Sequence, residues 1–353
     1  MIDYFNRLGE KKILAFSGDI LPLTFSMAVS SEEREGFFLG VDDNGRRIYL
    51  NPSKLPSFHG VIVGPTGSGK STLARSLALE ALDRGVKVVY IDPNGECRIL
   101  CKFMEDSAVV DLSRNFFDPF SSFSSREDLA EAVASALVLV RGFGQETYSF
   151  LKSMILDTSI GSLSELYEVV AVKAHGLKGA FSFLRKFRGG VSLKEILAAD
   201  YTAVAFPGIS PVEEQFTTLV LLEALRVYHV RRGVCHKLFR LIFIDEAHRL
   251  VGFPGGQNVL VKAFCEARKF GEGFVPVAQV PHMLPADLFV NAAFVIAFCG
   301  PSKYVRSLES LLELDEYTRD YLRFNARGRG IIKVQGEPYA RRVSFQPRKE
   351  AFY

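Results

Sequence analysis

The segment GVIVGPTGSGKSTLARSLALEALDRGVKVVYIDP, residues 60–93, leaves this chain few folds to choose from. GVIV is a short, wholly apolar strand, and GPTGSGK is too rich in glycine for regular structure. STLARSLALEALDRG then repeats apolar residues at helical spacing and stops at Gly85. VKVVYID is a second buried strand, closed by Pro93. Two strands joined through a helix run parallel, since the helix returns the chain to its starting edge. Parallel strands buried on both faces need helices on both, so the expected class is α/β with a mostly parallel central sheet.

The rest of the chain continues the pattern. SAVVDLS (107–113), YTAVAF (201–206), LFRLIFID (238–245), GFVPVAQ (273–279) and AAFVIAF (292–298) read as further strands, with a long helix from 212 to 232. GFFLGVDDNGRRIYL, residues 36–50, predicts a hairpin around Asp-Asn-Gly. GIIKVQGEPYARRVSF closes the chain with alternating strands around Gly-Glu. Residues 126–199 carry helical patterns and no convincing strand. The expected organisation is an N-terminal extension with the hairpin packing on the core (1–58), a core of 59–125 and 200–353, and an all-helical insertion (126–199).

GPTGSGKS satisfies the GxxxxGK[ST] pattern in the context that gives it meaning, after a strand and opening a helix. Gly64, Gly67 and Gly69 allow the backbone to wrap close to an anion. The loop Gly64, Pro65, Thr66, Gly67, Ser68, Gly69, Lys70, Ser71 and Thr72 is the expected nucleotide cradle. Lys70 reaches the β and γ phosphates, and Ser71 holds Mg²⁺. In LIFIDEA, Asp245 ends a buried strand where an acid can orient the same metal, and Glu246 beside it can polarise an attacking water. That doubled acid favours hydrolysis of ATP over transfer to a small molecule. Gln279 ends another strand and reads as a sensor of the γ phosphate, or else as a turn residue. Arg268 ends a helix, where it either reaches a neighbouring subunit's γ phosphate or pairs with its own helix dipole; Lys269 competes for either role. Asp92 and Glu96 in YIDPNGE extend the metal and water network or form a turn.

Bulk properties exclude less. The 43 Lys and Arg against 40 Asp and Glu leave a formal charge of +3, which gives no reason by itself to expect nucleic acid. From Arg323 to Lys349, however, stand eight basic residues and one acid, Glu337, either an electrostatic footprint or a solvated edge. No apolar run has the length of a membrane span. Cys97 and Cys101 with His236 match no strong zinc spacing, and five cysteines without pairing grammar fit a reducing interior. Some of the 30 phenylalanines, in FFDPFSSF and YSFLKSM, are candidates for a subunit contact.

Together these motifs resemble the HerA/FtsK superfamily of ring-forming ATPases, its HerA-like and VirB4-like members most closely. The resemblance runs from about Phe38 to nearly the end. It rests on FLGVDDNGRRIYLNPSKLPSFHGVIVGPTGSGKST with His59, on VVYIDPNGE, on RNFFDPF (with Phe117 where proline is usual), on IDEAHRL, and on EARKFGEGFVPVAQVPHMLP. It implies a RecA-like core, Mg-dependent ATP hydrolysis, and a homo-hexameric ring whose sites are shared between subunits. Arg268 would act in trans, with Lys269 as the competing candidate. It further implies movement of double-stranded DNA, or as the alternative the energising of a membrane-docked secretion or pilus machine. A membrane or nuclease protein is the expected further partner, and the expected location is cytoplasmic or peripheral at the inner face of a membrane complex. About 55 residues precede the loop, too few for the family's β-barrel or large N-terminal regions. Pore-lining segments are expected after Asp92 and in RLVGFPGGQN, residues 249–258.

Overall fold

The computed structural model describes residues 35–353 apart from 158, 251–255, 268, 325 and 353, together with the short strand at 29–30. Among the described residues twelve strands form one sheet, interleaved with helices. In chain order they are β1 (Val29–Ser30), β2 (Phe37–Val41), β3 (Arg47–Leu50), β4 (Gly60–Val63), β5 (Lys87–Asp92), β6 (Ser107–Asp111), β7 (Tyr201–Ala205), β8 (Cys235–Ile244), β9 (Phe270–Ala278), β10 (Phe294–Phe298), β11 (Arg329–Val334) and β12 (Arg341–Phe345). The helices are α1 (Lys70–Leu82), α2 (Arg126–Arg141), α3 (Gln145–Leu156), α4 (Leu163–Lys173), α5 (Leu193–Ile196), α6 (Pro211–Arg232), α7 (Gly256–Ala267), α8 (Ala286–Asn291), α9 (Ser302–Leu312) and α10 (Glu316–Phe324).

The strand order is β1-β3-β2-β12-β11-β10-β4-β9-β8-β5-β7-β6. From β10 to β6 every pairing is parallel. From β10 outward to β1 every pairing is antiparallel, so the N-terminal hairpin extends the sheet through β12. The crossover β4–α1–β5 does join parallel strands, but β9 and β8 lie between them.

Period-two alternation sends side chains to two separate cores. Val61, Val63, Val89, Ile91, Ile242 and Ile244 face one; Ile62, Val88, Tyr90, Leu241 and Phe243 face the other. Helix α1 covers the second face, and Leu73, Leu77 and Ala81 are buried there. On the first face lie α6 and α7 and, outside α6, helices α2–α5, whose apolar residues belong to the same continuous core. The phenylalanines of FFDPF are used within the chain. Phe117 is buried, and Phe116 meets Phe187 at 4.1 Å between ring centroids.

His59 locks the start of β4 to its surroundings. Its buried Nδ1 accepts a hydrogen bond from Phe274 N of β9 at 3.0 Å, and its ring lies 4.7 Å from that of Phe264 on α7. An accepting Nδ1 places the neutral ring's proton on Nε2.

The C-terminal positive charge is largely spent inside the molecule. Arg341 pairs with Glu337 at 3.3 Å, and Arg342 pairs with Asp43 at 3.4 Å while stacking 3.5 Å above Tyr317. Arg348 binds Asp83 and Glu350, and its N–H donates to Ser76 Oγ on α1. This is the solvated-edge reading of those residues, not a free footprint. No helix among the described residues is long and apolar enough to cross a membrane.

Candidate active site

Parallel strands end together, so the loops leaving them converge at one edge of the sheet. There β4 delivers the glycine loop, β5 Asp92, β8 Asp245 and Glu246, and β9 Gln279. Two backbone hydrogen bonds stitch these ends: Gly64 N to Ala278 O at 3.1 Å and Asp245 N to Ile91 O at 2.8 Å.

The loop's glycines are required by geometry. Gly67 and Gly69 sit at φ +76° and +109°, values that side chains other than glycine rarely adopt. A Cβ on Gly64 would lie 2.5 Å from Ser68 Oγ and 2.9 Å from Phe298 Cβ. Gly69 is the N-cap of α1 and offers no side chain to the helix's first N–H groups. Those donors and the helix's positive end are what an oligophosphate takes up.

Lys70 is buried at the start of α1, and its Nζ lies 4.0 Å from Glu246 Oε1. Gln279 Nε2 donates to both Glu246 oxygens, at 3.0 and 3.1 Å. Thr66 Oγ1, inside the loop, donates to Gln279 Oε1 at 3.0 Å. A relay therefore runs from the phosphate loop through the amide to the carboxylate. Because β9 is the strand between β4 and β8, Gln279 can touch both. Glu246 sits at φ +51°, a backbone state that costs a non-glycine residue of order 1 kcal/mol and clusters at working sites.

The surroundings of Asp245 suit a cation. Burial, and after it the negative charge of Asp92, push its carboxyl up to about 6 from 3.8, while the Ser71 hydroxyl and the Glu246 N–H oppose the shift. Tyr90 OH donates to its Oδ2 at 3.4 Å. A buried carboxylate held against that penalty gains most from a metal ion, so Ser71 and Asp245 fit Mg²⁺. Asp92 is itself buried and accepts from Asn94 N and Cys97 N. Glu96 does not join this network; it turns to Arg75 of α1 at 3.2 Å.

Two further groups adjoin Glu246. His248 Nδ1 stands 3.3 Å from Glu246 Oε2 without hydrogen-bond geometry, and burial holds its imidazole below the usual range. Arg249 Nη1 binds Glu214 in the first turn of α6 at 3.2 Å, and its carbonyl accepts from Gln215 Nε2. Neither link of Arg249 is visible in IDEAHRL as a string, because its partners, Glu214 and Gln215, come from elsewhere in the chain. Arg268 and most of the 249–258 segment lie outside the described residues; Lys269 is exposed.

Comparison with known proteins bears on the fold that carries this site. Residues 36–164 match the family model described as the central domain of helicase HerA. That stretch holds the phosphate loop but not Asp245, Glu246 or Gln279. The DNA import protein CedB of Sulfolobus acidocaldarius is 22% identical over 328 residues, 86% of this chain and 55% of CedB. The chain thus spans about half the length of that curated relative. VirB4 of Thermoanaerobacter pseudethanolicus superposes with a TM-score of 0.73 at 17% identity, covering 91% of this chain and 99% of VirB4. The bacterial conjugative coupling protein TrwB, lacking its N-terminal segment, gives 0.66 at 16% identity, covering 97% and 96%; TrwB has also been solved with ADP and Mg²⁺. Residues 36–164 are thus similar to the central domain of helicase HerA, and the chain shares its fold with VirB4 and TrwB.

Proposed function

We propose that this protein is an ATP hydrolase, working as a ring of six copies, that couples hydrolysis to movement of double-stranded DNA. The observation that carries the reading is the relay from Thr66 through Gln279 to Glu246, beside Lys70. It joins the group that cradles phosphate to the group that activates water, which a plain nucleotide-binding switch does not need.

In the reaction the loop N–H groups and Lys70 bind the β and γ phosphates. Ser71 and Asp245 would hold Mg²⁺, which would supply neutralisation of phosphate charge. Glu246 takes a proton from the attacking water as its oxygen bonds to the γ phosphorus and the bond to the ADP oxygen breaks. Gln279 orients that water and, through Thr66, reports whether the γ phosphate is present. Arg268 of an adjacent copy would stabilise charge on the transferring group, with Lys269 the alternative.

CedB's role in DNA import and TrwB's in conjugation support DNA as the cargo. ATP turnover of the purified ring should rise several-fold with duplex DNA. A competent hexamer indifferent to DNA, and stimulated only by a membrane complex, would replace this reading with that of a secretion energiser. Shared sites predict that inactive Arg268→Ala recovers part of its turnover when mixed with inactive Glu246→Gln. Full turnover in pure Arg268→Ala rings removes Arg268 from the site.

A further inference from the structure

Among the described residues, an acid-free run of positive charge lies outside both the phosphate loop and the C-terminal strands. From Lys173 to Lys194 there are six lysines and arginines and no acid. The chain here folds back on α4 through two short 3₁₀ turns, His175–Leu177 and Ser182–Lys186. Phe181, Phe183, Leu184 and Phe187 turn inward and are buried, with Phe183 and Phe187 edge-on to Phe216 of α6. Lys173, Lys178, Arg185, Lys186, Arg188 and Lys194 are all exposed.

Among the described residues only Lys186 of these six forms an ion pair, at 2.7 Å to Glu213 Oε1, and its side chain remains 61% exposed. Arg185 spreads over the Tyr167 ring at 5.7 Å. The contrast with Arg341, Arg342 and Arg348 is direct. Those cations pair with carboxylates, whereas among the described residues five of these six form no ion pair within the chain. Their place is also informative. Glu213 lies in the first turn of α6, and its neighbour Glu214 binds Arg249, three residues beyond Glu246. The lobe therefore stands at the edge of the sheet that carries the active site.

We propose that the 173–194 lobe is a contact surface for the phosphate backbone of duplex DNA; this rests on the reading that the protein handles DNA. Six exposed cations without an acid between them match a polyanion and carry no base-reading geometry. A single strand would call for exposed aromatic platforms, and a membrane surface for exposed apolar anchors. The phenylalanines of the lobe face the core and provide neither.

The test is a variant of the whole chain combining Lys173→Gln, Lys178→Gln, Arg188→Gln and Lys194→Gln, which spares Lys186 with its ion pair and Arg185 with its ring contact. Fluorescence anisotropy with a mixed-sequence duplex is measured across a salt series. Removing one lysine or arginine from a phosphate lowers the slope of log affinity against log salt by about 0.9. The variant should lose a slope of about 2 or more and at least about tenfold in affinity, with DNA-independent turnover and thermal midpoint unchanged. Wild-type slope and affinity in the variant overturn the assignment and leave the translocase reading standing. A wild-type ring that binds no duplex overturns both. In that case, variant-sensitive binding to phosphatidylserine vesicles would reassign the lobe to a membrane.

Discussion

Glu246→Gln should bind ATP as the wild type does and hydrolyse it about a thousandfold more slowly, within the range that loss of a general base produces. The substitution keeps the side chain's shape and removes only its capacity to accept a proton. Binding should survive because the proposed phosphate holders are the loop N–H groups and Lys70, none of which Glu246 supplies. One of the two hydrogen bonds from Gln279 Nε2 disappears, since an amide has one acceptor oxygen where the carboxylate has two. That loss is worth about 1 kcal/mol and falls on the relay, so signalling from Thr66 should weaken as well. Single-turnover hydrolysis and titration with a fluorescent ATP analogue separate the two effects. Retained hydrolysis would dismiss Glu246 as the base and move attention to His248, the other titratable group 3.3 Å away.

The difference between what was legible and what was not tracks sequence distance. The glycine loop and α1 could be read from the string because their constraints are local: φ at Gly67 and Gly69, and close approach at Gly64. The ends of β8 and β9 were legible for a related reason, since apolar runs stop where the chain leaves the sheet. Strand order was not, because a crossover says parallel without saying how many strands it passes over. The insertion of β9 between β4 and β8 is what lets Gln279 reach Thr66 and Glu246 together. Charge misled for the same reason. Arg342 looks free in a count of its neighbours, yet its carboxylate, Asp43, is 299 residues away. The 173–194 cations do not stand out in the sequence because they are spaced among apolar residues. Counting acids finds them, but only the fold shows that among the described residues five of the six form no ion pair.

Asp245→Asn should make the metal-free protein more stable while abolishing its response to Mg²⁺. The folded protein holds this carboxyl up at about 6 against an ordinary 3.8, so the native state disfavours ionisation. Below about pH 4 the group is protonated in both states and the penalty vanishes. As pH rises through 6 the native protein must carry a desolvated charge beside Asp92, a shift worth about 3 kcal/mol. Asparagine removes that charge, and its oxygen can still accept from the Glu246 N–H that now reaches Asp245 Oδ1 at 2.9 Å. At pH 8 without metal the variant should therefore melt several degrees above the wild type, and at pH 4 the gap should close. Adding Mg²⁺ with ADP should raise the wild-type midpoint and leave the variant's nearly unmoved, because the carboxylate that draws the cation is gone. Thermal melts at both pH values, with and without Mg²⁺, check both halves. A variant no more stable than wild type at pH 8 would mean that the site already compensates the buried charge without metal, and Asp245 would lose its claim to the ion.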